Sequence, residues 1–193
     1  FHDITEKAVL AREMSYRVSH DHLTGLLNRG EFESRAAMVL ERINAGGPSG
    51  ALMFLDLDHF KLVNDVCGHA AGDRLLAQMA AILTRAVRAH DTVARFGGDE
   101  FAILLDAADE PEKIGRELAE GLIARLREPV MVDGHELRAG VSIGISLFGV
   151  GPEETVKSVV READYAMYLA KIAGKGSYRF FHDDNRDFAP HVY

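Results

Sequence analysis

The sequence predicts an α+β domain in which helices pack on an antiparallel sheet of ferredoxin-like order. Residues 51–57 form an almost unbroken apolar run, which is typical of a strand buried on both faces. Two further runs, 92–96 and 101–105, flank Gly97-Gly98 and indicate a β-hairpin. Helical patterns alternate with these strands, so the predicted order is strand, helix, hairpin, helix, strand, helix, strand.

The remaining elements are predicted from apolar spacing and turn residues. Asn28 with Glu31 three positions later indicates a helix start, and Gly46-Gly47-Pro48 ends that helix. Gly68 and Gly72 are predicted to form a turn before a long amphipathic helix. Its apolar face contains Leu75, Leu76, Met79, Ile82, Leu83, Ala86 and Val87. The other elements are a helix over 112–126, two strands over 130–146 turning at Asp133-Gly134, a helix over 155–173 and a strand over 178–181.

Residues 3–18 are predicted to form a charged helix with a narrow apolar seam of Ile4, Ala8, Ala11 and Val18. Two alternatives remain open, a short coiled coil or a linker helix packed on the domain. The chain begins in a way that suggests a cut inside a longer protein, and Asp3-Ile4-Thr5 resembles the end of many PAS sensor domains. We therefore assign residues 1–19 as a linker or signalling helix.

Length, net charge and cysteine content limit the classes of protein to which this chain can belong. The chain has 193 residues, a formal net charge of −8 and a single cysteine, Cys67. One domain of this length buries a sizeable core, and the lone cysteine excludes an internal disulfide. An acidic surface argues against long nucleic acids but is compatible with a small phosphate ligand held by a few cations. No apolar run approaches the ~20 residues of a membrane helix, so we expect a cytoplasmic domain. This expectation is compatible with a membrane anchor elsewhere in a longer protein.

The tip of the predicted hairpin carries two adjacent acids, Asp99 and Glu100. Neighbouring carboxylates repel each other, and a metal ion or a cationic substrate compensates that repulsion. The alternative is an ordinary solvated acidic turn, which glycine turns often contain. The strand 51–57 likewise ends in acids, Asp56 and Asp58, and either is predicted to face a pocket. Asp58 also suits the role of a cap for the following helix.

These motifs together resemble the GGDEF family, the diguanylate cyclases. Residues 97–101 spell its name, residues 21–29 are similar to its opening segment, and residues 56–65 match its second signature. The resemblance spans residues 20–181, with the motifs in the order and spacing of the family. It implies a fold shared with polymerase palms and class III nucleotidyl cyclases. The implied reaction joins two GTP molecules into cyclic di-GMP with release of pyrophosphate.

The resemblance assigns the metal site. Asp56, the Leu57 carbonyl, Asp99 and Glu100 would hold two Mg²⁺ or Mn²⁺ ions, with Asp56, Asp99 and Glu100 as catalytic groups. Which carboxylate takes the proton stays open. In this sequence Asp99 stands where some members have glutamate.

The resemblance also assigns the substrate site. Asn64 and Asp73 would read the guanine, although Asp73 alone is equally typical of a charge near a helix N-terminus. Lys61, Lys171 and Lys175 would lie near the phosphates, whereas the alternative for Lys171 and Lys175 is complementation of a helix dipole. Further residues of the site would be His59, Phe60, His69, Gly97 and Gly98. His59 replaces an aromatic residue of some members, and Lys175 replaces an arginine. His20 and His22 more often indicate surface polarity than a metal site.

Arg88 and Asp91 match the placement of the family's RxxD inhibitory site, nine residues before Gly97. An arginine fork can engage a guanine edge or a phosphate, so the pair suits cyclic di-GMP. Arg116, from a following helix, is a candidate helper. The alternative is that Arg88 complements a helix end.

A symmetric product made from one GTP per domain implies an antiparallel homodimer. The rival function is a catalytically silent module that binds GTP or cyclic di-GMP and regulates a neighbouring phosphodiesterase domain. A purely structural dimerisation domain would not require this set of acids and lysines. Residues 182–193 are predicted to be a tail or a linker to another domain.

Overall fold

The computed structural model describes residues 2–106, 109–149 and 154–181. Its elements, in chain order, are α1 (His2–Ser19), α2 (Arg29–Asn44), β1 (Ala51–Leu57), α3 (Phe60–Cys67), α4 (His69–Ala86), β2 (Thr92–Gly97), β3 (Glu100–Leu105), α5 (Pro111–Arg127), β4 (Val130–Val132), β5 (His135–Leu137), β6 (Val141–Leu147), α6 (Val156–Ile172) and β7 (Tyr178–Phe180). The predicted tail, 182–193, lies outside the described residues.

The central sheet has five strands in the order β2-β3-β1-β6-β7. Strand β1 lies in the middle and pairs antiparallel with both β3 and β6. The unit from β1 to β6 therefore has the predicted ferredoxin-like order, and the α+β class is confirmed. Strand β7 joins the edge of β6 in parallel, which extends the sheet after α6.

Helices cover both faces of this sheet because successive strand residues point to opposite sides. Met53 and Leu55 of β1 pack with the helices α3, α4 and α5, whereas Leu52 and Phe54 pack with α2 and α6. Helix α6 lies unusually close to β6. A Cβ atom on Gly144 would come within 1.9 Å of the Ala163 carbonyl oxygen, so only glycine fits there. This close packing sets the position of every functional side chain on α6.

Two predicted boundaries were wrong. Residues 130–146 form three strands rather than two, because the tight turn at Asp133 (φ 52°) and Gly134 (φ 78°) closes a separate two-stranded sheet of β4 and β5. The single helix predicted between β1 and the hairpin is two helices. Gly68 (φ 89°) separates α3 from α4, and α4 begins at His69, so Gly72 lies inside the helix rather than in a turn.

Helix α1 lies outside the core. Ile4 and Val18 of its predicted seam are 75% and 79% exposed, and Leu10 and Met14 are exposed as well. The seam therefore does not pack against the core of the described chain. No helix among the described residues is long and apolar enough to cross a membrane.

Candidate active site

Asp56 and Glu100 are direct cross-strand partners on β1 and β3. Their neighbours at alternate positions, Phe54 and Ala102, pack on the α2 and α6 side of the sheet, so both acids project toward α6. Lys171, in the last turn of α6, forms an ion pair with Asp56. The sheet register and the close packing of α6 thus bring together three predicted site residues from distant parts of the chain.

Asp99 lies in the turn between β2 and β3. Gly97 (φ 142°) and Gly98 (φ 48°) both have backbone angles that favour glycine, and the register shifts between Arg95 and Gly97. The Asp99 carbonyl accepts a hydrogen bond from the Leu57 amide at 3.3 Å, which joins the turn to the end of β1. Asp99 and Glu100 are both half-buried in this turn.

Burial dominates the electrostatics of this acidic cluster. Asp56 is 8% exposed, and its pKa is raised to about 8 by burial and by the adjacent Asp99 carboxyl, against the opposing effect of Lys171. The pKa of Glu100 is raised by burial and by the charge of Asp99, while Arg29 and Lys171 oppose the rise. Burial and repulsion between the acids therefore disfavour the charged forms of Asp56 and Glu100.

A divalent cation fits this arrangement. Asp56 Oδ2 accepts from Lys171, but Asp56 Oδ1 is buried and has no hydrogen-bond partner. A buried carboxylate oxygen without a donor, beside a second carboxyl, is a suitable ligand for a hard cation such as Mg²⁺. Among the described residues no three His, Cys, Asp or Glu side chains form a complete metal cage. The carboxylates of the described residues therefore do not form a complete cation site by themselves.

A cavity of about 520 Å³ opens beside Glu100. It is lined by Arg29, Phe54, Phe96, Glu100, Lys157, Val160, Arg161 and Asp164. Sequence reasoning missed Asp164, whose pKa is raised to about 6 by burial and by the charge of Glu100. A signal was present, because Asp164 precedes Lys171 by two helical turns and therefore shares its face of α6.

Asn64 and Gly72 meet where α3 packs on α4. The Asn64 side-chain oxygen is buried without a hydrogen-bond partner, and a Cβ atom on Gly72 would lie 1.9 Å from it. The Phe60 ring also lies against Gly72. Asp73 follows in α4 and is exposed. The structure therefore places the two residues predicted to read guanine on adjoining helices, with Asn64 held against the glycine.

The other predicted contact residues lie at the surface. His59 (φ 61°) precedes α3 without a side-chain capping bond. Lys61 and His69 are exposed, and Lys175 (φ 65°) is exposed in the turn after α6. Of the three predicted phosphate-binding lysines, Lys171 reaches the acidic cluster directly.

Asp58 does not cap a helix, contrary to the alternative raised from the sequence. It is 3% exposed and accepts hydrogen bonds from the Ser142 hydroxyl at 2.7 Å and the Gly176 amide at 2.8 Å. Its side chain points toward β6 and the turn after α6, so it cannot reach the amides of α3. Asp58 is a structural anchor for the turn that contains Lys175.

Arg88 and Asp91 form a two-pronged ion pair. Arg88 Nε and Nη2 donate to Asp91 Oδ2 and Oδ1 at 2.9 and 2.8 Å, and Nη2 also donates to the Asp106 carbonyl at 2.9 Å. Arg42 pairs with the Asp106 carboxylate and so lies near this cluster. Arg116 instead pairs with Glu112 and lies over the Phe180 ring. The arginine that approaches the pair is therefore Arg42, which sequence reasoning did not single out.

Comparison with known proteins identifies the family of this chain. A family model described as "Diguanylate cyclase, GGDEF domain" matches residues 18–177. The chain belongs to the GGDEF family. Cyclases of this family generally use divalent metal ions.

Individual relatives support this GGDEF assignment. An uncharacterized signaling protein of Caulobacter vibrioides is 43% identical over 181 residues, which cover 93% of this chain and 22% of the relative. The chain spans 22% of the length of this relative and 38% of the diguanylate cyclase TpbB of Pseudomonas aeruginosa, which is 38% identical over 169 residues.

Two solved structures share the fold. The isolated GGDEF domain of TpbB (YfiN) from Pseudomonas aeruginosa has a TM-score of 0.83 and 36% identity, covering 89% of this chain and 99% of that one. The coiled coil and GGDEF domain of DgcB from Caulobacter crescentus, in complex with c-di-GMP, has a TM-score of 0.82 and 25% identity, covering 93% and 94%. A link between this GGDEF fold and cyclic di-GMP is therefore established among its relatives.

Proposed function

We propose that this GGDEF domain is a diguanylate cyclase that condenses two GTP into cyclic di-GMP and two pyrophosphates. The observation that carries the proposal is the Asp56 carboxylate, which is buried, has one oxygen without a partner and adjoins Asp99. Such an arrangement is costly without a cation, so it supports a metal-dependent site rather than an inert turn.

The residues proposed to hold two Mg²⁺ or Mn²⁺ ions are Asp56, Asp99 and Glu100, with the Leu57 carbonyl. Bound ions of this kind lower the pKa of a ribose 3′-hydroxyl and neutralise the charge of departing pyrophosphate. Asp99 or Glu100 accepts the hydroxyl proton. Lys171 leaves Asp56 for the substrate phosphates, and Lys61 and Lys175 add positive charge from the surface turns.

Specificity for guanine is assigned to Asn64 and Asp73. A carboxylate accepts two hydrogen bonds from guanine N1 and N2, which adenine cannot provide, and the Asn64 oxygen lacks a partner in its free state. His59, Phe60, His69 and the backbone of Gly97-Gly98 complete the proposed lining of the nucleotide site.

Residues 20–181 form the proposed catalytic domain, and residues 1–19 the signalling helix. Each domain would hold one GTP, so two domains must face each other as an antiparallel homodimer to form both phosphodiester bonds. We place the reaction in the cytoplasm, where GTP and Mg²⁺ are available.

The test is an assay of the purified chain with GTP and Mg²⁺, in which cyclic di-GMP is measured by chromatography. Wild type should form product, whereas Asp56→Asn and Glu100→Gln should form none while keeping the circular-dichroism spectrum of the fold. Full activity in either variant would refute the metal assignment. Absence of product from wild type at every protein concentration would refute the cyclase function.

A second candidate is a silent module that binds GTP or cyclic di-GMP and regulates an adjacent phosphodiesterase domain. The ion pair of Lys171 with Asp56 favours it, since that lysine already occupies one oxygen of a carboxylate proposed to bind metal. The same assay, combined with calorimetric GTP binding, separates the two functions. Binding without turnover supports the silent module.

A further inference from the structure

Arg95 connects three parts of the chain around the acidic hairpin. Its guanidinium donates from Nη1 to both carboxylate oxygens of Asp21 at 3.0 and 3.2 Å, and from Nε and Nη2 to the Gly98 carbonyl at 3.0 and 2.9 Å. The side chains of Arg95 and Asp21 are only 13% and 16% exposed. A fork with donors on two edges can make both sets of bonds at once, which a lysine cannot.

Asp21 is itself held rigidly at the junction after α1. Its carboxylate accepts from the amide and the hydroxyl of Thr24 at 2.9 and 2.7 Å. Burial raises its pKa, but the Thr24 hydrogen bonds and the Arg95 charge outweigh burial, so the pKa is lowered and the group stays ionised. The last turn of α1 is tied to the same junction, since the Asn28 side chain donates to the Val18 carbonyl at 2.7 Å.

Gly98 lies at the other end of the connection. Its carbonyl belongs to the peptide that enters Asp99, and the Asp99 carbonyl is bonded to the Leu57 amide on the following peptide. Arg95 and Leu57 therefore hold the two peptides on either side of Asp99. Because the backbone of Asp99 is restrained on both sides, the direction of its carboxyl toward Asp56 depends on the Arg95 contact.

We propose that Arg95 is a positioning residue that aims the hairpin carboxylates and transmits movement of the α1 junction to them through Asp21. This inference rests on the proposed function, because its consequence is a change in turnover. A displacement of α1 that pulls Asp21 would withdraw Arg95 from the Gly98 carbonyl. The turn would then lose one of the two restraints on Asp99, whereas the predicted guanine contacts, Asn64 and Asp73, lie on α3 and α4.

The first test compares Arg95→Lys, Asp21→Asn and Arg74→Lys. The last variant is the control, since Arg74 forms an exposed ion pair with Asp133 away from the hairpin. Misplacing catalytic groups lowers kcat, so Arg95→Lys should reduce kcat by roughly tenfold to a hundredfold while the KM for GTP stays within about twofold. Asp21→Asn should lower kcat in the same direction by a smaller factor, and the control should match wild type. An unchanged kcat in Arg95→Lys would overturn the proposal.

The second test does not require turnover, so its failure is distinguishable from failure of the cyclase function. Hydrogen exchange of the amides of residues 97–101 should be about tenfold faster in Arg95→Lys than in wild type, with little change in β1. Unchanged exchange in the hairpin would contradict the positioning role.

The charge-swapped double variant Asp21→Arg/Arg95→Asp separates positioning from simple stability. It restores an ion pair at the junction but removes the donors to the Gly98 carbonyl. We expect its melting temperature to recover relative to Arg95→Asp, whereas kcat and hairpin exchange do not. Recovery of all three would mean that Arg95 acts only through the ion pair, and the proposed aiming role would be wrong.

Discussion

Lys171 in the last turn of α6 is ion-paired with Asp56 at the end of β1, a residue 115 positions earlier in the chain. The pair places an ammonium group on one oxygen of a carboxylate whose other oxygen has no partner. In the proposed cyclase, a divalent cation and Lys171 would compete for the negative charge of Asp56. This competition would make Lys171 a link between metal binding and phosphate binding.

The first prediction follows from that competition. Lys171→Met should bind Mn²⁺ several-fold more tightly than wild type, because the carboxylates lose their internal cation, yet its turnover should fall by about tenfold or more. Manganese titration by electron paramagnetic resonance and the GTP assay measure the two effects. Lys113→Met, an exposed substitution on α5, is the control. Weaker Mn²⁺ binding in Lys171→Met would show that the lysine supports the ion instead of competing with it.

The second prediction concerns pH and Asp164. The pKa of Asp164 is about 6 in the fold, above its ordinary value of 3.8, because burial and Glu100 disfavour the charged form. The folded state therefore retains a proton that the unfolded chain releases, and stability falls as pH rises from about 4 to about 6. Asp164→Asn removes the ionisable group and with it this loss of stability.

In EDTA, Asp164→Asn should match the stability of wild type near pH 4 and exceed it near pH 7, as measured by urea midpoints. Glu100 shifts in the same direction, so part of the wild-type slope should remain in the variant. A variant that is less stable than wild type at pH 7 would mean that the Asp164 carboxylate is stabilised by a contact, not penalised.

The third prediction concerns choice of base. Gly72→Ala should push the Asn64 amide away, since the new Cβ would meet its oxygen at 1.9 Å. Each unpaired polar group facing the base costs about 1 to 3 kcal/mol, so Gly72→Ala and Asp73→Ala should each weaken GTP binding by roughly 5- to 150-fold. Calorimetry with GTP and ATP measures this loss of affinity, with Arg74→Ala as the control. Equal affinity of wild type for the two nucleotides would contradict the assignment.

The fourth prediction concerns α1. Its exposed apolar side chains do not pack on the core of the described residues, so pairing with a second α1 would bury them and raise the local concentration of catalytic domains. Deleting residues 3–14 keeps Tyr16, which stacks on His20 at the junction. Activity at dilute protein should fall, and it should recover as the protein is concentrated. The point variant Leu10→Lys should behave in the same way. If the concentration dependence is unchanged, α1 is only a tether.

The fifth prediction concerns inhibition by product at Arg88 and Asp91. Because Arg88 is already bonded to Asp91 and the Asp106 carbonyl, cyclic di-GMP must exchange these bonds for its own phosphate and guanine groups. Initial rates of wild type should fall with added cyclic di-GMP, and Arg88→Ala should resist inhibition. Arg116→Ala should remain inhibited, since Arg116 lies over Phe180 instead. Equal inhibition of wild type and Arg88→Ala would mean that Arg88 and Asp91 do not bind the product and serve only to complete the end of the helix.

Much of the domain could be predicted from local sequence. The apolar run of β1, the Gly97-Gly98 turn and the cap at Asn28 each encode their element within a few residues, and all three are present. The break between α3 and α4 was missed because one glycine at Gly68 interrupts an otherwise continuous helical pattern. Local periodicity indicates that a helix forms but is less informative about where it bends.

Local sequence is enough to assign the family, because the acids, lysines and glycines of the motifs occur as contiguous strings in the family order. Which of these residues meet depends on the tertiary packing. Lys171 reaches Asp56 because Gly144 lets α6 approach β6, and Arg95 reaches Asp21 across 74 positions because the α1 junction lies against the hairpin. Asp164 acquires its raised pKa only through burial beside Glu100. Such distances and burial depend on how whole elements pack, and no local pattern of residues specifies them.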